Sequence, residues 1–381
     1  MAFLAIESEN QQLSDLLELV CEQLQLTDTQ HTDAETSYHG IGKWLSADDG
    51  PLAIFNPEIF PQGSKALLTT VKPRKREEFD IDLVCVLDRN RHLVSPVTVF
   101  NDVADRIRSH DTYRSMMTTD ARCIVLTYER QYRLEIVPAV PSVEDGRTAL
   151  VIPDREQREW VKTDPKGYVR WFAAQAMPLS ERRALAASVE PLPPNVSSGE
   201  KTVLQRTVQL FKRRRDIHFD GAEEATRSIV LTTINAEVYG REENLLDAIT
   251  NNLDRISRMA DGQQAIPRVP CPTNPLENLA QDWQTNPRTY LKFRMFIGEF
   301  KEKMERLKSE RSMPRIADLL EDMFDPSGSG VVNNAVRAYT DRYASARASG
   351  GIRMTRATSA LTTAAPAAAS FAIPRNSFYG D

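Results

Sequence analysis

Asp80 and Asp82 alternate with Phe79, Ile81 and Leu83 in the run EFDIDLVCVL, residues 78–87. Strand side chains alternate with period two, so the two aspartates, with Glu78 before them, share one face and the apolar residues take the other. Asp80 and Asp82 then lie roughly 7 Å apart at Cβ. Carboxylates that close repel one another unless a multivalent cation lies between them. Mg²⁺ takes one or two carboxylates together with phosphate oxygens, which suits this pair. Upstream, Gln62-Gly63-Ser64 reads as a turn where Gly63 lets backbone N–H groups approach an anion and Ser64 adds a hydroxyl. Downstream, Glu135 interrupts the apolar run LEIVPAVP, and a lone carboxylate is costly to bury there unless it pairs or binds metal. If the two strands are neighbours, Asp80, Asp82 and Glu135 make a three-carboxylate site. Two-metal phosphoryl transfer requires such a site: one ion activates a hydroxyl and the other steadies the leaving pyrophosphate. Taken alone, a D-x-D pair more often marks an edge strand with a solvated acidic face.

These side chains need a scaffold, and the hydrophobic pattern supplies one. Apolar spacing predicts helices over residues 8–26 and about 33–45. Strands are expected at Phe79–Leu87, Ala121–Tyr128 and Tyr132–Val140, with a helix over Thr98–His110. Strands mixed with helices over residues 50–150 imply a compact α/β unit. Beyond Trp160 the pattern turns helical: Leu179–Val189, Glu200–Phe219, Thr226–Tyr239, Glu242–Met259, Pro287–Lys308 and a short helix around Val331–Ala346. The segment EPLPPNVSSG, residues 190–199, reads as a linker. Arg347–Asp381, rich in Ala, Ser, Thr and Gly, holds too few large apolar residues to offset ordering and is expected to be largely disordered. The resulting division is 1–160, 161–325 and 326–381.

The chain has 381 residues, a length that suits two domains or one bilobed unit, and a net charge of −5 that argues against a protein coating nucleic acid. Residues 1–60 hold eleven acids against one base, Lys43. Positive charge gathers at Lys72-Pro73-Arg74-Lys75-Arg76 and Lys212-Arg213-Arg214-Arg215, and such local concentration suits a small polyanion better than a long duplex. Each run by itself reads as solvated surface, and the first as a mobile loop. Cys21, Cys85, Cys123 and Cys271 lack metal-like spacing, and the five histidines show none either. Cys85 and Cys123 read as small core residues of a reducing cytoplasm. The N-terminus lacks a secretory pattern and no stretch approaches a membrane span.

Gly63-Ser64, Asp80-x-Asp82 and Glu135 together resemble the signature of the DNA polymerase β-like nucleotidyltransferases. The blocks QGSKALLTTVKP, EFDIDLVCVL, LEIVPAVP, PKGYVRWF and LQRTVQLFKRRRD, in that order, resemble the bacterial cyclic GMP-AMP synthase-like enzymes, the CD-NTases, over roughly residues 10–320. The third acid is Glu where many relatives have Asp, and KPRKREE lengthens the step from Gly-Ser to D-x-D. The resemblance implies an α/β (α+β) nucleotidyltransferase core with a mixed sheet, a mainly helical second lobe and a central cleft. It implies that Asp80, Asp82 and Glu135 hold two Mg²⁺ ions, with Mn²⁺ as a substitute, and that Gly63 and Ser64 meet the donor triphosphate. Lys212 would reach the same phosphates from the second lobe, and Ser228, opening a helix, would donate another hydrogen bond.

The implied reaction is template-independent: ATP, GTP or other NTPs are joined into a cyclic dinucleotide or trinucleotide messenger. The resemblance places that messenger in anti-phage (CBASS) defence, acting on an effector. Some relatives have their C-terminus conjugated by ubiquitin-transfer-like partners, a role the exposed tail would suit. Two other readings share these motifs. One modifies RNA ends, proteins or small molecules, and the acidic net charge argues against the RNA case. The other is a catalytically silent scaffold, against which all three acids stand. Tyr239 is a candidate base-stacking residue, although core packing suits any single Tyr better, and Trp160 and Trp171 are expected to pack between the lobes.

Overall fold

Thr27 starts the second helix by accepting a hydrogen bond from Gln30 N while the Gln30 side chain answers its backbone, a reciprocal cap that separates α1 (Ala2–Gln23) from α2 (Asp28–Leu45). The computed structural model describes residues 2–74, 78–129, 131–177, 197–261 and 265–348, with short segments at 353–355, 361–362 and 370–372. After α2 come β1 (Glu58–Pro61), α3 (Gly63–Ala66), β2 (Phe79–Val86), α4 (Pro96–Arg108), α5 (Asp111–Met116), β3 (Met117–Thr119), β4 (Ile124–Tyr128), β5 (Tyr132–Pro141), β6 (Leu150–Asp154) and β7 (Glu159–Thr163). The sheet runs β1-β2-β5-β4-β3, with β6 pairing the far end of β5 and β7 continuing from it. Only β2 and β5 run parallel among these pairs, so the sheet is mixed, as the α/β expectation requires.

The helical part follows: α6 (Pro165–Ala176), α7 (Val203–Phe219), α8 (Ser228–Val238), α9 (Leu245–Asp261), a hairpin of β8 (Pro270–Cys271) and β9 (Asn274–Asn278), then α10 (Gln281–Thr285), α11 (Pro287–Ser309), α12 (Met313–Phe324) and α13 (Val331–Ala348). Within the tail, β10 (Arg353–Thr355) pairs with both β11 (Leu361–Thr362) and β12 (Ser370–Ala372). The rest of the tail, the expected helix Leu179–Val189, residues 190–196 of the linker, and Lys75, Arg76 and Glu77 lie outside the described residues.

Two cores result. One face of the sheet packs Ile81, Leu83, Leu134 and Ile136 against Ile41 and Leu45 of α2 and Val99, Phe100 and Val103 of α4. The second core joins Leu13, Leu17 and Val20 of α1 to Leu204, Val208 and Phe211 of α7, to α11 and α12, and to Val331, Val332, Ala335 and Tyr339 of α13. The chain therefore begins and nearly ends in the helical core while the sheet is inserted between. Trp160 packs against the sheet core and Trp171 against the helical one, so each serves its own core rather than a seam between them. Helix α12 escaped the sequence reading although its signal was present: Pro314 in the first turn, then Ile316, Leu320 and Met323 on one stripe.

Leu83 is fully buried directly beneath the acidic face. Leu83→Ala should lower unfolding free energy by about 3 kcal/mol, read as a shift in the urea midpoint.

Candidate active site

Parallel pairing of β2 with β5 sets Asp82 opposite Glu135 and Asp80 opposite Arg133. In-register residues of neighbouring strands point the same way, so all four side chains leave one face of the sheet while Ile81, Leu83, Leu134 and Ile136 enter the core. The structure thus brings the three expected carboxylates onto one face of adjacent strands. Burial raises the Asp82 carboxyl to about 7, helped by the charges of Glu135 and Asp80 and opposed by Lys212. The Glu135 carboxyl is also raised, first by burial and then by Asp80. Asp80 differs: its Oδ1 accepts from Arg133 Nη2 at 2.7 Å and Nε at 2.9 Å. Among the described residues no trio of His, Cys, Asp and Glu side chains closes tightly enough to enclose a metal ion as it stands. The donor set nevertheless fits a hard divalent cation: it is all carboxylate oxygen, and two of its members are penalised as charged groups without one.

Gly63 explains how the phosphate turn reaches this floor. Its φ is +59°, and a Cβ added there would lie 2.1 Å from Asp82 Oδ2. Only glycine meets both demands. Gln62 N donates to the Asp82 carbonyl at 2.8 Å, fixing the turn to β2. The turn is the start of the four-residue α3, and Ser64 Oγ lies 3.1 Å from Thr70 Oγ1 at the cleft wall.

The opposite wall comes from the helical part. A cleft of about 630 Å³ is lined by Gly63, Ser64, Asp80 and Asp82 on one side and by Lys212, Arg215, Arg227 and Ser228 on the other. Glu135 stands one strand behind Asp82 and does not itself line the cleft. Leu204, Val208 and Phe211 seat α7 in the helical core, and this fixes Lys212. Lys212 Nζ donates to Thr69 Oγ1 at 3.1 Å, and burial pulls its ammonium down to about 8 against the charges of Asp216 and Asp82. Ser228 is the first residue of α8, and its Oγ accepts from Arg215 Nη1 at 3.3 Å.

Two charge readings need correction. Lys212, Arg213 and Arg214 are buried, not a solvated surface run: Arg213 donates to the Lys72 carbonyl and Arg214 to that of Asp322, because α7 is packed on several sides. Arg74, expected on a mobile loop, is also buried and bridges Asp216 O at 2.6 Å and Asp220 Oδ1 at 2.9 Å. Tyr239 packs on the helical core with its hydroxyl on the Glu242 carbonyl, as core packing requires, and does not line the cleft. Arg133 and Thr69 were missed, and Arg215 was noted only within its basic run. Arg133 was legible in principle, since it sits two residues before Glu135 on the same strand face.

Residues 11–175 match the model of the Second Messenger Oligonucleotide or Dinucleotide Synthetase domain. The chain is 31% identical to the c-di-GMP synthase of Roseivirga ehrenbergii across 97% of its own length and 98% of that protein. It is 25% identical to the cyclic dinucleotide synthase CdnG of Bradyrhizobium diazoefficiens, over 84% of this chain and 81% of CdnG. The solved structure of that CdnG with GTP superposes with a TM-score of 0.69 at 21% identity, covering 85% of this chain and 97% of the other, which supports the fold.

Gly63→Ala should push the Asp82 carboxylate aside while the two cores persist. Mn²⁺ titration should then show affinity weakened by about tenfold or more, and unchanged affinity would remove Asp82 from the ligand set.

Proposed function

The chain belongs to the bacterial CD-NTases and makes cyclic oligonucleotides from nucleoside triphosphates, and on that premise we propose that Asp80 and Asp82 form its catalytic floor, with Glu135 behind them as the third carboxylate, and that the product is a cyclic dinucleotide built from guanine nucleotides. The observation that carries the site is the in-register placement of Asp82 opposite Glu135 under Gly63. The guanine preference is supported by the c-di-GMP synthase activity of the Roseivirga relative and by GTP bound in the Bradyrhizobium CdnG structure.

In this reading the three carboxylates would hold two divalent ions, Mg²⁺ or Mn²⁺. When bound, such ions supply activation of an attacking ribose hydroxyl and neutralise charge on departing pyrophosphate. The turn at Gly63 lets the triphosphate approach β2, and Ser64 offers it a hydroxyl. Lys212 brings an ammonium from the facing helix, its position set by the α7 stripe. Ser228 at the start of α8, and Arg215 reaching it from α7, add donors. Leu67, Val169, Ile229 and Leu279 line the same cleft and limit water around the reacting groups.

Joining two nucleotides requires one hydroxyl attack for the linear intermediate and a second to close the ring. The family makes cyclic products, so RNA-end modification is set aside, as is a silent scaffold. The product is assigned to anti-phage signalling through an effector on the resemblance alone. Among the described residues no helix is long and apolar enough to cross a membrane. The four free thiols suit a reducing cytoplasm.

Mass spectrometry after incubation with all four NTPs and Mg²⁺ should show a cyclic dinucleotide containing guanine, and chelation should abolish it. Label appearing only on added RNA would sink this reading. Asp82→Asn should cut synthesis at least about 100-fold. The thermal midpoint of the metal-free protein should not fall, because the substitution removes a repelled, partly buried charge.

A further inference from the structure

Among the acids that line the cleft, Glu277 stands apart from the carboxylates of β2 and from the phosphate-facing residues. Glu277 lies on β9, in the hairpin that places Cys271, Thr273, Glu277 and Leu279 on the cleft wall beside Arg227 and Ser228. Its carboxyl is raised by burial, while Arg122 and Arg227 oppose that rise and donors from Asn274 and Cys271 steady it. A carboxylate there repels a triphosphate and belongs to no cluster able to hold a metal among the described residues. From its place on the cleft wall it suits a ligand edge rich in hydrogen-bond donors. Arg227 stands at the N-cap of α8 with one arm of its guanidinium donating to the Leu279 carbonyl, which fixes it on the same wall.

Guanine offers N1–H and N2–H₂ as adjacent donors and O6 and N7 as adjacent acceptors. A carboxylate pairs with the first edge and a guanidinium with the second. Adenine places an acceptor at N1 and lacks the N2 amine, so it would offer the carboxylate no such adjacent pair of donors and would face it with a lone pair. Ile229 and Leu279, on the same wall, offer apolar surface to the faces of a base. We propose that Glu277 and Arg227 read the base of a bound nucleotide and select guanine, a role that rests on the synthase assignment above.

The test measures binding of non-hydrolysable GTP, ITP and ATP analogues by calorimetry, together with cyclic product formation from the natural nucleotides. Wild-type protein should prefer GTP over ATP and bind ITP, which lacks the N2 amine, more weakly than GTP. Glu277→Gln should lower the GTP-to-ATP affinity ratio by about tenfold or more and erase the difference between GTP and ITP. An unchanged ratio, or a wild-type preference for ATP, overturns the assignment. Glu277→Asp keeps the charge but shortens its reach; it should weaken GTP and leave ATP unchanged, and equal weakening of both overturns the assignment too. The wild-type comparison of GTP with ITP stands without any variant. Selective GTP binding with no cyclic product would sink the synthase reading alone. Cyclic product from ATP, with the ratio unmoved in the variant, would sink the base assignment alone.

Discussion

Like charges on adjacent strands are the constraint around which the rest is arranged. The parallel register of β2 and β5 sets Asp82 against Glu135, and neighbouring strands lie only about 4.8 Å apart. A one-residue slip would send both acids into the core and their apolar neighbours into the cleft. The apolar face therefore holds the register: Ile81 and Leu83 align with Leu134 and Ile136 among the buried residues beneath. The sheet's stability is thus used to hold an arrangement that is electrostatically unfavourable by itself, the usual relation between a catalytic floor and its support.

Much of this was legible. Period-two alternation in EFDIDLVCVL identified both the strand and its acidic face, and the strand ends agree with the structure to within a residue. Glu135 was found because an acid in an apolar run needs a reason. What the sequence could not supply was pairing partners. Arg133 lies opposite Asp80 only because β2 and β5 are parallel and in that register, which no local pattern states. The buried arginines failed for a related cause. A run such as Lys212-Arg213-Arg214-Arg215 looks solvated until the elements packed around its helix are known, and here carbonyls at Lys72 and Asp322 receive the guanidinium groups. Glu277 went unnoticed because a single acid in a short polar strand carries no periodic signal.

The long step from Ser64 to Asp80 also changes meaning. Read as an insertion, it had no role. In the structure Lys72 N donates to the Leu24 carbonyl at 2.7 Å, Gln209 Nε2 to the Thr70 carbonyl at 2.6 Å, and Arg74 reaches the end of α7. The segment leaving the phosphate turn is therefore fastened to α1 and to α7 before it returns to β2. These bonds couple the turn at Gly63 to the helix that carries Lys212, so the two phosphate-facing elements form one hydrogen-bonded unit rather than two independently placed ones.

That coupling bears on how the cleft tolerates its own charges. The Asp82 carboxyl is raised on one side and the Lys212 ammonium is pulled down on the other, and each partly relieves the other. Bringing them into direct contact would satisfy both and close the cleft to substrate; a salt bridge there would be a competitor to catalysis. Lys212 is instead tied to Thr69, and the Asp82 carboxylate lies beneath Gly63. Two opposite charges are thus kept in one cleft without being allowed to pair. A nucleoside triphosphate with its divalent counter-ions answers both needs at once, anion toward the lysine and cation toward the acids. The electrostatic penalty built into the empty cleft is then returned on binding, and only a ligand carrying both signs of charge can recover it in full.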